Sequence, residues 1–318
     1  MTVIKYFPPS EHVLKKIERG ELGTIAALEA LGEQQPKTKC KSGDRDENTA
    51  AAALWELNLL VGLKEVKRVV EEIKAYIEIQ QKRLYHNLKC NPVVLHMIFK
   101  GNPGTGKTTV ARLLGRLFQG MGVLSQGHLV EVERADLVGE YIGHTAQKTR
   151  EQIKKALGGI LFVDEAYSLG RGGEKDFGKE AIDVLVKGME DHRNDFVLVL
   201  AGYRREMEQF ACLNPGLSSR FPIQIDFPDY CTKELMDIAV MMATERHYRF
   251  SPGAKRLLKQ HLVEQLHYNN LNFSNARLVR NILEKSLRRQ ALRLSGQIEV
   301  TREELITIED GDLVVEQP

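Results

Sequence analysis

A chain of 318 residues that is 42% hydrophobic and 28% charged has the composition of a soluble protein with room for two domains and their extensions. Its 45 Lys and Arg against 43 Asp and Glu leave a formal charge of +2, too near zero and too evenly spread to argue for a nucleic-acid partner. Four cysteines, Cys40, Cys90, Cys212 and Cys231, stand far apart without a C-x-x-C pair, which argues against a zinc site or disulfide frame and for reduced thiols.

The N-terminus lacks the apolar core of a secretory leader, and no run approaches the ~20 apolar residues of a membrane span, so a cytoplasmic protein without a membrane partner is expected. Ser10 can cap a short helix carrying Val13, Leu14 and Ile17, and Thr24 can open a second with Ile25, Leu28 and Leu31. Residues 33–48 have no periodicity and almost no apolar side chain. Residues 1–48 therefore read as a helical N-terminal extension and polar linker.

From Thr49 the pattern is helical, breaks at Val61-Gly62-Leu63, and resumes from Lys64 to about His86 with Val66, Val69, Val70, Ile73, Ile77 and Leu84 in one stripe. Val93 to Lys100 reads as a buried strand. It runs into Gly101-Asn102-Pro103-Gly104-Thr105-Gly106-Lys107-Thr108-Thr109 and an amphipathic helix to Gln119 with Val110, Leu113, Leu114 and Leu117 inward. Further strands are expected at 129–133, 160–163, 196–201 and 221–226, with a helix at about 146–156. Strands alternating with helices predict an α/β fold, a doubly wound parallel sheet of five strands, over residues 49–229. After Pro228 the strand signal stops. Amphipathic patterns at 233–248, 252–267 and 275–294 predict a second, helical domain over 230–296, the last helix with Ile282, Leu283, Leu287 and Ala291 inward. A C-terminal tail follows over 297–318, with a capping box at Thr301-Arg-Glu-Glu304 and a close at Asp310-Gly-Asp312.

The sequence 101–108 is a complete G-x-x-x-x-G-K-T phosphate loop. Its glycines let successive backbone N–H groups point at phosphates, Lys107 reaches the β and γ oxygens, and Thr108 offers a hydroxyl to Mg²⁺. Four apolar residues followed by Asp164-Glu165 supply the other half of an ATPase site. Asp164 at the strand end faces the Mg²⁺ and Glu165 polarises the attacking water, a pairing that favours hydrolysis over transfer to a bound alcohol. Arg220, on a turn before the fifth strand, is out of reach of its own phosphates and within reach of a neighbour's. Arg277, opening the last long helix, is placed to fold over the γ-phosphate.

Together these motifs make residues 54–295 resemble an AAA+ ATPase. Val61-Gly62-Leu63 matches the family's adenine-side turn, 101–108 its Walker A, 160–165 its Walker B, Arg220 its trans-acting arginine finger and Arg277 its sensor 2. Asp136 to Thr145, Leu161 to Ser168, Leu200 to Tyr203 and Asn214 to Arg220 are similar to the CbbX/CfxQ group, which contains the red-type rubisco activase. The resemblance implies a helical lid domain, ATP/ADP and Mg²⁺ as cofactors, and a homohexamer that hydrolyses ATP to ADP and phosphate to remodel a protein substrate. It also implies a role in spore formation. A rubisco-activase-type remodeller and a DNA-acting AAA+ motor or loader are the alternatives, the second disfavoured by the near-neutral charge. Where many relatives carry a polar sensor 1, this chain reads Ala201-Gly202-Tyr203, which leaves Tyr203 for that role. Tyr141, Ile142 and Gly143 lie where such hexamers place a substrate-gripping loop in the central channel.

Overall fold

In the computed structural model, the described residues are 46–90, 93–141, 143–171, 177–213, 215–268 and 273–313, all within one compact unit that spans 43–318. The two N-terminal helices expected before Leu31, the linker to Arg45, Cys40, Ile142 and Asn214 lie outside the described residues.

Helix α1 (Glu47–Leu59) starts at Asp46, whose carboxylate accepts the Thr49 N–H. Leu63, in a left-handed conformation, turns the chain into α2 (Lys64–Tyr85), which buries Val66, Val70, Ile73 and Ile77. Leu84, in its last turn, is exposed. Strand β1 (Met97–Gly101) leads through the glycine loop into α3 (Lys107–Gly120). Then come β2 (Leu129–Val132), the single turn α4 (Arg134–Leu137), α5 (His144–Ala156) and β3 (Ile160–Val163). A 3-10 turn at Ala166–Gly170 and α6 (Gly178–Asp191) precede β4 (Val197–Gly202). Helices α7 (Arg204–Leu213) and α8 (Pro215–Arg220) lead to β5 (Ile223–Phe227).

The five strands are all parallel, in the order β2-β3-β4-β1-β5. Their alternation sorts the core into two layers. Met97, Phe99, Ile160, Phe162, Val197, Val199, Ile225 and Phe227 pack with α1, α2 and α3 on one face, and Ile98, Leu161, Val163, Leu198 and Leu200 pack under α5, α6 and α7 on the other. Each such side chain is worth about 1.5–3 kcal/mol when buried. The ion pairs along α2, by contrast, join largely exposed groups and contribute about 0–1 kcal/mol each, so apolar burial holds the sheet together.

One buried polar group sits at the base of the sheet. His96, 3% exposed between Phe196 and Phe221, accepts the Leu198 N–H on Nδ1 at 3.0 Å. Burial, with a smaller contribution from Arg193, pushes its pKa down from 6.5 to about 4. The folded state thus resists a proton that the unfolded chain accepts. The stability this confers is complete above about pH 6.5 and is lost between there and pH 4, a loss of about 3 kcal/mol at full effect. Melting temperatures measured across that window should fall more steeply for the native chain than for His96→Asn, which keeps an acceptor but cannot titrate; parallel curves would contradict this.

Beyond Pro228 the chain forms α9 (Thr232–Glu245), β6 (Arg249–Phe250), α10 (Pro252–Tyr268), α11 (Ala276–Ser295), α12 (Arg302–Ile306), β7 (Thr307–Ile308) and a 3-10 turn at Asp310–Asp312. The domain is not purely helical as the sequence suggests. β6 and β7 pair in parallel, Arg249 with Thr307 and Phe250 with Ile308. The described part of the stretch read as a tail, to residue 313, is thereby returned to the domain. The expected capping box at Thr301 and Glu304 is formed. Ala291, assigned inward by periodicity, is exposed, and the inward positions of α11 include Ser286 and Gln290. Gln290 is buried because its amide donates to the carbonyls of Glu304, Leu305 and Thr307, which fastens the C-terminal segment. Arg293 does the same through a two-pronged pair with buried Asp312 at 2.9 and 2.8 Å.

Candidate nucleotide site between the sheet domain and the helical domain

The order of the strands places the ends of β1, β3 and β4 side by side, and a cleft of about 1180 Å³ opens above them, closed on its far side by the helical domain. Gly101, Pro103, Gly104, Gly106, Lys107, Thr108 and Thr109 line it from β1, Asp164 and Glu165 from β3, Gly202 and Tyr203 from β4, and Arg277 from α11. Residues predicted from four separated stretches therefore meet at one place. Val61 lines the cleft as well, with Leu60, Leu63, Ile238, Met241 and Met242, giving an apolar wall suited to a flat base. Gly62 turns the chain behind that wall at φ 67°, against Glu234 and Tyr230.

The loop itself is tightly wound. Gly104 and Gly106 take φ of 73° and 96°, a region that side chains with a Cβ rarely enter, and Gly106 precedes α3 so that the helix's first N–H groups face the cleft. Thr105, fully buried, donates its hydroxyl to the Asn102 carbonyl at 2.8 Å. Lys107 donates from Nζ to the carbonyls of Gly101 and Asn102 at 2.8 and 2.9 Å. Burial lowers the pKa of this ammonium, Asp164 raises it and Arg277 lowers it again, so the net shift is downward. A part-buried ammonium held by two carbonyls is a group that a polyphosphate would satisfy better, since an anion restores what burial removes.

At the end of β3 the Asp164 carboxylate accepts the Glu165 N–H at 2.9 Å, which fixes it toward the cleft. Glu165 takes φ 46° and ψ 43°, a left-handed conformation that costs about 1–3 kcal/mol in a residue other than glycine and presents its exposed carboxylate to the cleft instead of the sheet. Tyr167 lies just behind it, and burial together with the Glu165 charge raises its pKa. Its ring stands 5.9 Å from that of Tyr203. Sequence reasoning singled out Tyr203 at this edge but gave Tyr167 no role. The hard oxygens suited to Mg²⁺ are the Thr108 hydroxyl and the Asp164 carboxylate, both on the cleft. Among the described residues no group of three or more His, Cys, Asp or Glu could hold a metal by itself, so a cation here would need phosphate and water oxygens to complete its shell.

Arg220 is not on this cleft. Its guanidinium is bound to Glu190 Oε1 through Nε at 3.1 Å and Nη2 at 2.8 Å, and to the Gly216 carbonyl at 2.9 Å, on a partly exposed face formed by α6 and α8. Tyr141 is 66% exposed, its ring edge-on to His144 at 5.5 Å, and Gly143 at φ 83° has open space around it. The aromatic ring does not pack back on the sheet. Arg280, one turn after Arg277, also lines the cleft.

A parallel five-stranded sheet carrying a phosphate loop, an Asp-Glu strand end and a helical cap defines an AAA ATPase, and the chain belongs to that family. The family described as "ATPase family associated with various cellular activities (AAA)" matches residues 97–229, and the AAA lid domain matches residues 232–318. Among characterised relatives, the chain is 59% identical over 263 residues to stage V sporulation protein K of Bacillus subtilis (strain 168), covering 82% of each. It is 48% identical over 257 residues to the protein CfxQ of Xanthobacter flavus, covering 80% of each. In fold it is similar to the FIGL-1 AAA domain solved in complex with ADP, with a TM-score of 0.54 at 15% identity and 80% of each chain covered. Membership of this family carries nucleotide binding and ATP hydrolysis in general terms, and no described helix is long and apolar enough to cross a membrane.

Proposed function

We propose that this ATPase works as a homohexamer in the cytoplasm, using Mg²⁺-ATP hydrolysed at subunit boundaries to remodel a protein substrate, and that it serves spore formation. The observation that carries the reading is the split of the charged groups. Lys107, Asp164, Glu165 and Arg277 share one cleft, while Arg220 lies off that cleft on a partly exposed face, available to a neighbouring copy. Lys107 would bind the β and γ oxygens, and Thr108 with Asp164 would hold the metal. When bound, Mg²⁺ supplies charge neutralisation across the phosphates. Glu165 takes the proton of the attacking water, Tyr203 orients that water, and Arg277 of the same subunit with Arg220 of the next stabilise charge on the γ-phosphoryl group.

Closure of the helical domain over nucleotide is the motion that would be passed on, because a ligand held between two domains binds the closed state better. Tyr141, with Ile142 and Gly143, would grip an unfolded segment by area and not by sequence, which the exposure of the Tyr141 ring supports. Likeness to the sporulation protein supports the spore assignment. Likeness to CfxQ favours a second reading, the same machine acting on rubisco, which a rubisco reactivation assay separates.

Lys107→Ala should abolish binding of a fluorescent ATP analogue within the measurable range, and retention of near-native affinity would remove the phosphate loop from the account. Tyr141→Ala should lose protein remodelling while turning over ATP. If that variant remodels a model substrate normally, the channel role is wrong.

A further inference from the structure

Asn275 stands immediately before α11, in the position where an asparagine ordinarily caps its own helix. It does not cap it. Its side chain is fully buried and turned the other way, toward the phosphate loop and the segment that joins the two domains. Nδ2 donates to Asp229 Oδ1 at 2.7 Å, to the Phe273 carbonyl at 3.1 Å and to the Pro103 carbonyl at 3.3 Å, and Oδ1 accepts the Tyr230 N–H at 2.9 Å.

Asp229 in turn accepts both of its contacts with the Asn102 amide, at 3.0 and 2.9 Å, and the Tyr230 hydroxyl donates to the Thr105 carbonyl at 3.1 Å. The ring closes through the backbone, where the Ala276 N–H donates to the Gly104 carbonyl at 3.2 Å. The phosphate loop has thus taken over part of the capping of the lid helix. Two further facts show how close and how constrained this junction is. A Cβ on Gly104 would stand 2.2 Å from the Ser274 carbonyl oxygen and 2.8 Å from the Arg277 nitrogen. Asn275 itself sits at φ 49° and ψ −126°, a conformation that costs about 1–3 kcal/mol and survives only where its surroundings fix it.

We propose that Asn275 is the positioning residue of this site: by tying the start of the lid helix to Pro103 and Asp229 it sets where Arg277, two residues on, meets the phosphates. A change at the loop reaches the lid through the same bonds. This rests on the reading of Arg277 as a phosphate contact, and the test separates the two. ATP turnover, ATP affinity and melting temperature are measured on the full chain for Asn275→Ala, Arg277→Ala and the double variant. Asp229→Asn, which sets amide against amide at an exposed residue, guards against a folding defect at Asn275.

The expected result is a fall in kcat of about ten- to a hundredfold for Asn275→Ala, the scale that an ångström of misplacement costs. Asp229→Asn should show a fall of the same sign, with affinity changed far less in both. The double variant should be no slower than Arg277→Ala alone, because one residue acts through the other. If losses at 275 and 277 multiply, or if Asp229→Asn melts and turns over as the native chain does, the positioning role is overturned and Arg277 keeps its own. If Arg277→Ala turns over at the native rate, the phosphate contact fails first, and the positioning role falls with it.

Discussion

Arg220→Ala is expected to lower ATP turnover by about 10³-fold or more while nucleotide still binds, since a guanidinium supplied to a γ-phosphoryl group is worth about 10³ to 10⁵ in rate. The size of the effect follows from the chemistry of the step. A loose phosphoryl transition state spreads charge over the γ oxygens, so fixed cations carry much of the catalysis. Arg220 makes this expectation sharp because it lines no part of its own cleft and instead pairs with Glu190. An arginine serving only that surface pair would contribute about 0–1 kcal/mol to stability and nothing to rate. Turnover assays at saturating ATP distinguish the two outcomes, and an Arg220→Ala protein with native turnover would leave the residue a surface arginine.

Glu165→Gln is expected to bind ATP at least as well as the native chain and to turn it over about 10²- to 10⁴-fold more slowly, the range lost with a positioned general base. The amide keeps the shape of the side chain and its place in the left-handed turn after β3, so binding groups elsewhere in the cleft are undisturbed. Asp164, fixed by the Glu165 N–H, keeps its own role. Equilibrium binding with a labelled nucleotide, paired with phosphate release, reads both halves. Native turnover by the glutamine variant would remove Glu165 from the chemistry, and loss of binding would mean that it holds nucleotide instead.

What the chain shows of this site before folding depends on how local each feature is. The phosphate loop is contiguous and built of residues with a backbone reason to be there, so Gly104 and Gly106 at positive φ are where the pattern asks for them. Asp164 and Glu165 are legible because four apolar residues announce the strand that ends on them. The two-layered sheet follows from strands buried on both faces, visible as runs such as Ile160 to Val163 and Val197 to Gly202. Helices α6 and α7 went unmarked. Among its described residues α7 buries Met207 and Phe210 on its inner side, too few to show a period, although Ala181, Ile182, Leu185 and Met189 of α6 do carry one. β6 and β7 are two residues each and their paired residues are 58 positions apart, so no window along the sequence contains their pairing.

Polar groups that work by long-range contact are the hardest to see. Gln290 breaks an apolar stripe for the sake of three carbonyls more than ten residues away, and Glu190 meets Arg220 across thirty residues. The link from Asn102 through Asp229 to Asn275 joins three parts of the chain that share no local pattern at all. In each case the side chain is explained by a partner that only the fold supplies.

Whether two copies of the chain build each ATP pocket is tested most directly by mixing two inactive proteins. Arg220→Ala subunits keep Lys107, and Lys107→Ala subunits keep Arg220, so a boundary between them contains one intact set of groups. Mixed at equal amounts and allowed to exchange, they should regain up to about a quarter of the native turnover per site, the share of boundaries that random assembly of a ring makes complete. If no mixing ratio exceeds the sum of the separate proteins once exchange of subunits has been verified, Arg220 does not act across a boundary, and the shared pocket is contradicted.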